Sequence, residues 1–225
     1  MCVCLVLTDY NGLNELSPLF CVMSAMTIAV FLDRDGTLNQ ERGYLRDIEE
    51  LVLISGAAKA VRRLNDTGIL AILTTNQSGP ARGYYDEAHI KALHDRLERL
   101  LAEEAGAKLD AIYYSPFLPN GSVPEYTQDS PCRKPGTGMI DRAQSDFPQI
   151  GIPESYVLGD KATDVEFAYN AGCTGILLKT GYGESVLDGT YQVLKHPPHF
   201  VCDDIVEAVD VILSRTQSTH PIVPR

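Results

Sequence analysis

Short apolar runs alternate with amphipathic helical stretches along most of this chain, and that alternation restricts the fold more than any other feature. Residues 27–32 are nearly all apolar, β-branched or aromatic, and too few for a helix, so they read as a buried parallel strand. Residues 56–67 then carry Ala57, Ala60, Val61 and Leu64 at helical spacing, with Gly68 as a natural stop. The pattern continues with a strand at 69–74, a helix at 86–105 with Ile90, Leu93, Leu97, Leu100 and Leu101 on one face, and a strand at 109–114. Beyond a long loop come a helix at 138–147, a strand at 156–158, a helix at 163–171, strands at 175–178 and 200–202, and a helix at 204–215. Strands separated by helices imply βαβ units. The expected fold class is therefore α/β, a three-layer Rossmann-like sandwich with a mostly parallel sheet.

Open sheets of this kind bind ligands in the crevice outside the carboxyl ends of their strands. Two segments that follow strands, 39–55 and 115–137, are too long to be simple connectors and should sit over that crevice. The first is too short to fold alone, so no large cap domain is expected. With 225 residues the chain supports one well-buried core, assigned to residues 26–215. Residues 1–25 lack a basic leader and contain Asp9, Asn11, Asn14 and Glu15, and they read as a disordered or mis-assigned extension. Residues 216–225, with Pro221 and Pro224 and little to bury, read as a disordered tail.

The formal net charge of −11 disfavours nucleic acid or an anionic membrane surface as the main partner, because both need a basic footprint. No apolar run approaches the roughly 20 residues of a membrane-spanning helix. Cys132, Cys173 and Cys202 are scattered without paired spacing, and Cys2, Cys4 and Cys21 lie in the N-terminal extension, which fits free thiols and a cytoplasmic location. With no coiled-coil pattern, a monomer is expected.

Chemistry gathers at the strand ends. Asp33 and Asp35 directly follow the first strand, and continued extended geometry would point both side chains the same way. Gly36 then lets the chain turn beneath them. Thr75, Asn76, Gln77 and Ser78 end the second strand with hydroxyl and amide groups; Arg133-Lys134-Pro135 precedes a helix; Gly159-Asp160-Lys161 ends the fourth strand, with Asp164 shortly after. Taken singly, each group also suits a turn, a cap or a solvated surface charge. On one face of one sheet they converge on an acidic metal pocket with a lysine and several neutral donors.

These residues in this order resemble the haloacid dehalogenase superfamily, over about residues 27–215. The resemblance implies that Asp33 attacks phosphorus to form an aspartyl-phosphate and that Asp35 serves as general acid and then base. It implies Mg²⁺ held by Asp33, Asp160 and the Asp35 backbone carbonyl, with Lys134 as a second positive charge and Thr75 and Asn76 as phosphoryl donors. Asp164 would orient a metal water or Lys161. A cation is needed on electrostatic grounds: like unit charges 4 Å apart repel by about 4 kcal/mol at an effective dielectric of 20.

Within that superfamily, Glu41-Arg42-Gly43-Tyr44 and the run from Thr75 to Gly83 resemble the bacterial heptose bisphosphate phosphatase family, with the histidinol-phosphate phosphatases as near relatives. That resemblance implies a small sugar-phosphate substrate, contacted by Glu41, Arg42, Gly43, Tyr44, Gln77, Ser78, Arg82, Arg133 and Lys161, with the arginines able to grip oxyanions bidentately. Members commonly carry a zinc clip in the loop before the Arg-Lys-Pro segment. Here the corresponding positions read Ser115, Phe117, Ser130 and Cys132, which offer one plausible ligand where structural zinc takes four, so no structural zinc is expected.

Overall fold

The computed structural model describes residues 26–219. The expectation for residues 1–25 and the last residues of the proposed tail lie outside that range. Strands β1 (Ala29–Leu32), β2 (Leu70–Asn76), β3 (Ala111–Ser115), β4 (Tyr156–Gly159), β5 (Thr174–Leu178) and β6 (Phe200–Cys202) form one sheet, ordered β3-β2-β1-β4-β5-β6 with every pairing parallel. The helices are α1 (Ala57–Asp66), α2 (Glu87–Ala105), α3 (Gly138–Asp146), α4 (Ala162–Ala171), α5 (Gly183–Leu187) and α6 (Ile205–Thr219).

Strand alternation sorts the helices into two layers. Val30 and Leu32 face a core shared with Val61 and Leu64 of α1, Leu93 and Leu97 of α2, and Val209 and Ile212 of α6. Ala29 and Phe31 face the other way, onto Met139 and Ile140 of α3 and Phe167 and Ala168 of α4. Both faces of β1 are thus dry, which is why its sequence is continuously apolar. Each such fully buried large side chain contributes about 1.5–3 kcal/mol by leaving water. The start of β1 is pinned by a buried hydroxyl: Ser155 Oγ accepts from the Ala29 N–H (3.0 Å) and donates to the Gly151 carbonyl (2.6 Å).

The expected elements are present, with shifts at their ends. Strand β2 runs on to Asn76 because Thr75 and Asn76 pair with Tyr114 and Ser115 of β3, so two residues read as loop donors belong to the sheet. Strand β3 starts at Ala111, not at 109. Helix α5 is too short to show an apolar period and was not anticipated. Helix α6 continues past Arg215 to Thr219, where a tail was expected; Thr216 bonds back to the Leu213 carbonyl (3.0 Å) within it. The two long connectors fold over the crevice with one 3-10 turn each, Ile48–Glu50 and Pro124–Tyr126.

The chain steps outward from β1 through β2 to β3, then returns to place β4 on the other side of β1. That reversal opens a crevice at the carboxyl ends of β1 and β4. Asp33 and Asp160 leave from those two ends.

Candidate active site

Asp33 continues the β1 ladder, its N–H donating to the Leu158 carbonyl (2.9 Å), which fixes the side chain at the crevice floor. The chain then folds back on itself: Leu38 and Asn39 both donate to the Arg34 carbonyl (2.9 and 3.1 Å), and Gly36 sits at φ +81°. A Cβ on Gly36 would fall 2.2 Å from Asp160 Oδ2, and one on Gly181 would fall 2.1 Å from the same oxygen. Glycine is required at both positions to admit that carboxylate.

Asp33, Asp160 and Asp164 bring their carboxylates within 4.8 Å of one another, all buried. Lys134, also buried, bonds to Asp164 Oδ1 (2.5 Å), Asp33 Oδ1 (3.0 Å) and the Thr74 carbonyl (2.9 Å). Burial would raise the Asp33 carboxyl, but Lys134 and Lys161 outweigh it and hold the pKa at about 2. Asp160 goes the other way: burial, reinforced by Asp33 and Asp164 and only partly offset by Lys161, pushes it up to about 7. Negative charge in this cluster therefore exceeds what the two lysines neutralise.

The Lys161 ammonium faces Asp160 Oδ1 (3.0 Å), the Asp35 backbone carbonyl (3.4 Å) and Asp33 Oδ2 (3.6 Å). Those are the three groups the sequence reading assigned to Mg²⁺, and here they converge on one positive centre. An all-oxygen set with surplus negative charge fits a hard divalent cation. Asp164 Oδ2 meanwhile accepts from the Lys161 N–H (3.1 Å), closing the start of α4.

Asp35 shares the crevice with Asp33, and its carboxylate is held firmly. Arg34, almost wholly buried, clamps it through Nε and Nη2 at 2.9–3.2 Å, Asn39 Nδ2 donates to Oδ1 (2.9 Å) and Gln77 Nε2 to Oδ2 (2.9 Å). Sequence reading gave Arg34 no role. Its pairing was not legible there, since an arginine is buried only where something pairs with it and the fold chooses the partner.

A cavity of about 280 Å³ opens above these groups, lined by Asp33, Asp35, Glu41, Gly43, Tyr44, Asn76, Ser78, Arg82, Arg133, Lys134 and Lys161. Glu41 accepts from Lys161 (3.0 Å) and from the Gly43 N–H (2.7 Å); Tyr44 meets Ser78 Oγ at 3.4 Å. Arg133 Nη1 donates to the Phe117 carbonyl (3.0 Å), so the loop 115–132 aims it, and Arg82 lies 5.6 Å over the Tyr44 ring. Four expected contacts sit differently. Arg42 is exposed, bonds Gln40 (3.0 Å) and borders a neighbouring hollow with Thr180 and Gly181. Asn76 spends both ends of its amide on the Lys134 backbone (3.0 and 3.1 Å). The Thr75 hydroxyl, fully buried, accepts from Gln77 (3.0 Å), and neither residue lines the cavity. Conversely, Thr163, Tyr182, Tyr191 and Gln192 line it and were not anticipated. Tyr182 follows β5, so the strand-end rule that located Asp33 and Asp160 pointed to it as well.

At the positions of the zinc clip stand buried Ser115, Phe117 in ring contact with Tyr126 (6.3 Å), and Ser130, whose hydroxyl accepts from the Cys132 N–H (3.3 Å). The only cluster of metal-ligating side chains among the described residues is the aspartate group in the crevice. No helix among the described residues is long and apolar enough to cross a membrane.

Comparison with known proteins agrees with this geometry. The family model described as HAD-hyrolase-like matches residues 131–208. The D-glycero-D-manno-heptose-1,7-bisphosphate 7-phosphatase of Thermosynechococcus vestitus is 51% identical over 187 residues, covering 82% of this chain and 94% of its own. The D-glycero-beta-D-manno-heptose-1,7-bisphosphate 7-phosphatase of Escherichia coli K12 is 41% identical over 160 residues, 71% of this chain and 83% of its own. Among solved structures, the D,D-heptose 1,7-bisphosphate phosphatase of B. bronchiseptica, complexed with magnesium and phosphate, superposes with a TM-score of 0.74 at 30% identity, over 84% of this chain and 99% of that one. An aspartate cluster at the β1/β4 switch point, a buried lysine between two of its members and this degree of identity together lead to one conclusion: the chain belongs to the D-glycero-D-manno-heptose-1,7-bisphosphate 7-phosphatase family of haloacid dehalogenase-like hydrolases.

Proposed function

We propose that this protein hydrolyses a phosphomonoester of a small sugar bisphosphate, removing the 7-phosphate of D-glycero-D-manno-heptose 1,7-bisphosphate. The observation that carries the chemistry is the ion pair of Asp33 with Lys134 at 3.0 Å on the floor of an anion-lined, cation-rimmed cavity. Asp33, ionised with its pKa at about 2, is the nucleophile that displaces the alcohol from phosphorus, giving an aspartyl-phosphate. Asp35 supplies the proton to the leaving oxygen and later takes one from the attacking water. To do so it must release at least one of the donors from Arg34, Asn39 and Gln77 that now hold it. Lys134 stays in place throughout, fixed by Asp164 and the Thr74 carbonyl, and offsets negative charge at the phosphoryl group. Asp33, Asp160 and the Asp35 carbonyl would hold Mg²⁺, which would neutralise charge on the substrate phosphate. Arg82 and Arg133 at the cavity rim suit the second phosphate, and Lys161 and Glu41 suit the groups between.

The test is Mg²⁺-dependent phosphate release from the heptose bisphosphate, histidinol phosphate and a panel of sugar phosphates. The heptose bisphosphate should lead, and Asp33→Asn should reduce turnover by a factor of about 10³ or more. Retained turnover in Asp33→Asn overturns the mechanism; preference for histidinol phosphate overturns the substrate alone.

A further inference from the structure

The cavity has a wall that the chemistry above does not use. Tyr182 and Tyr191, on either side of α5, stack face to face with ring centroids 4.1 Å apart and planes 6° from parallel. Both line the cavity that holds Asp33, Arg82 and Arg133. We propose that this tyrosine pair is the platform on which the carbon skeleton of the substrate rests, and that it determines specificity for sugar phosphates over smaller phosphoryl compounds; the proposal rests on the sugar-phosphate reading above.

The stack is anchored to the catalytic floor. The Tyr182 N–H donates to Asp160 Oδ2 (2.8 Å), and its ring lies 5.4 Å beneath the Lys161 ammonium. The Tyr191 N–H donates to the Ser185 carbonyl (3.0 Å), and the adjacent Gln192 accepts from the Ala162 N–H (3.1 Å) at the start of α4. Both rings therefore hold a set position relative to Asp33 before any ligand enters, so little ordering cost remains at binding.

Tyr191 is nevertheless 45% exposed. Single exposed aromatics are ordinary on protein surfaces. One that is stacked, tied at its backbone and turned to a charged cavity fits a ligand better. Among the described residues neither phenol oxygen makes a hydrogen bond, which leaves two hydroxyl groups at the edge of a flat apolar surface. A sugar has the matching form: one side of C–H groups that an aromatic face can cover, and a rim of hydroxyls that phenols can bond. Acetyl phosphate carries the phosphoryl group and lacks that face.

The experiment compares kcat and KM for sugar phosphates and for acetyl phosphate in wild type, Tyr191→Ala, Tyr191→Phe and Val193→Ala. Val193 is 81% exposed and outside the cavity, and its variant should match wild type on both substrates. Tyr191→Ala should raise KM for the preferred sugar phosphate about tenfold with kcat largely retained, and its loss on acetyl phosphate should be several-fold smaller. Tyr191→Phe, which keeps the ring, should recover most of the affinity. Equal losses on both substrates, or none on either, overturn the platform. The ratio is read on whichever sugar phosphate wild type turns over best, so failure of the heptose assignment alone leaves the comparison intact. A wild type that prefers acetyl phosphate to every sugar phosphate overturns it too.

Discussion

At the scale of single residues, the site is a problem of buried charge. Asp33, Asp160 and Asp164 lie out of water within 4.8 Å of one another, and an unpaired buried carboxylate costs several kcal/mol. Lys134 and Lys161 offset part of this, and the rise of Asp160 to about 7 shows what is left over. Two glycines make the cluster possible by leaving room for the Asp160 carboxylate. Gly36→Ala would place a methyl 2.2 Å from Asp160 Oδ2 at a backbone φ of +81°. It should destabilise the fold by about 1–3 kcal/mol in urea denaturation and weaken Mg²⁺ binding by calorimetry. An unchanged Mg²⁺ affinity would show that the carboxylate moves aside without cost. Most of these groups were legible in the sequence, because Asp33, Asp35, Lys134 and Asp160 stand at strand ends or beside a helix start. Their partners were not. Arg34 on Asp35 and Asn76 on the Lys134 backbone are side-chain choices among several donors in reach, and only the packed neighbourhood selects one.

At the scale of elements, periodicity identified the strands and the longer helices, and ends were decided by pairing. Strand β2 extends through Asn76 because β3 lies beside it, a fact that lies outside β2's own residues. The register of β1 likewise depends on a residue far along the chain. Ser155, wholly buried, holds the Ala29 N–H, and Ser155→Ala would leave that donor and the Gly151 carbonyl short of a partner. A loss of about 1–3 kcal/mol in chemical denaturation is expected. A stability within about 0.3 kcal/mol of wild type would mean that water takes over both bonds. The loop 115–132 shows the same dependence. The Phe117–Tyr126 contact and the carbonyl that aims Arg133 exist only once the turn at 124–126 brings them together.

At the scale of the whole molecule, stability should fall on the acid side. His94 of α2 packs edge-on against Tyr114 (5.5 Å), with Nε2 buried and without a hydrogen-bond partner among the described residues. Burial, then the nearby positive charge of Arg34, lower its pKa from 6.5 to about 3. Folded His94 is therefore neutral, while the unfolded chain takes up a proton below about pH 6.5. Its contribution to stability is whole above that value and is lost as pH falls from 6.5 towards 3, by up to about 1.4 kcal/mol per pH unit. Urea midpoints at pH 7 and pH 5 should converge in His94→Leu relative to wild type; an equal acid loss in both proteins would assign the effect to other groups.

The sequence by itself determined the α/β alternation, the burial of the strands, and the acids, lysine and neutral donors that stand at strand ends or beside a helix start. These follow from local rules: side-chain period, the short list of residues that tolerate turns, and the need for acids and a lysine wherever phosphate is handled. The tertiary structure decided which distant groups meet: Lys134 between Asp33 and Asp164, Lys161 facing the three oxygens suited to Mg²⁺, and Tyr182 with Tyr191 as a wall of the same cavity. Those contacts depend on the strand order β3-β2-β1-β4-β5-β6, which places β4 and β5 beside β1 across more than a hundred residues of chain. Periodicity is blind to that order, because it reports how each segment is buried and leaves open against which partner.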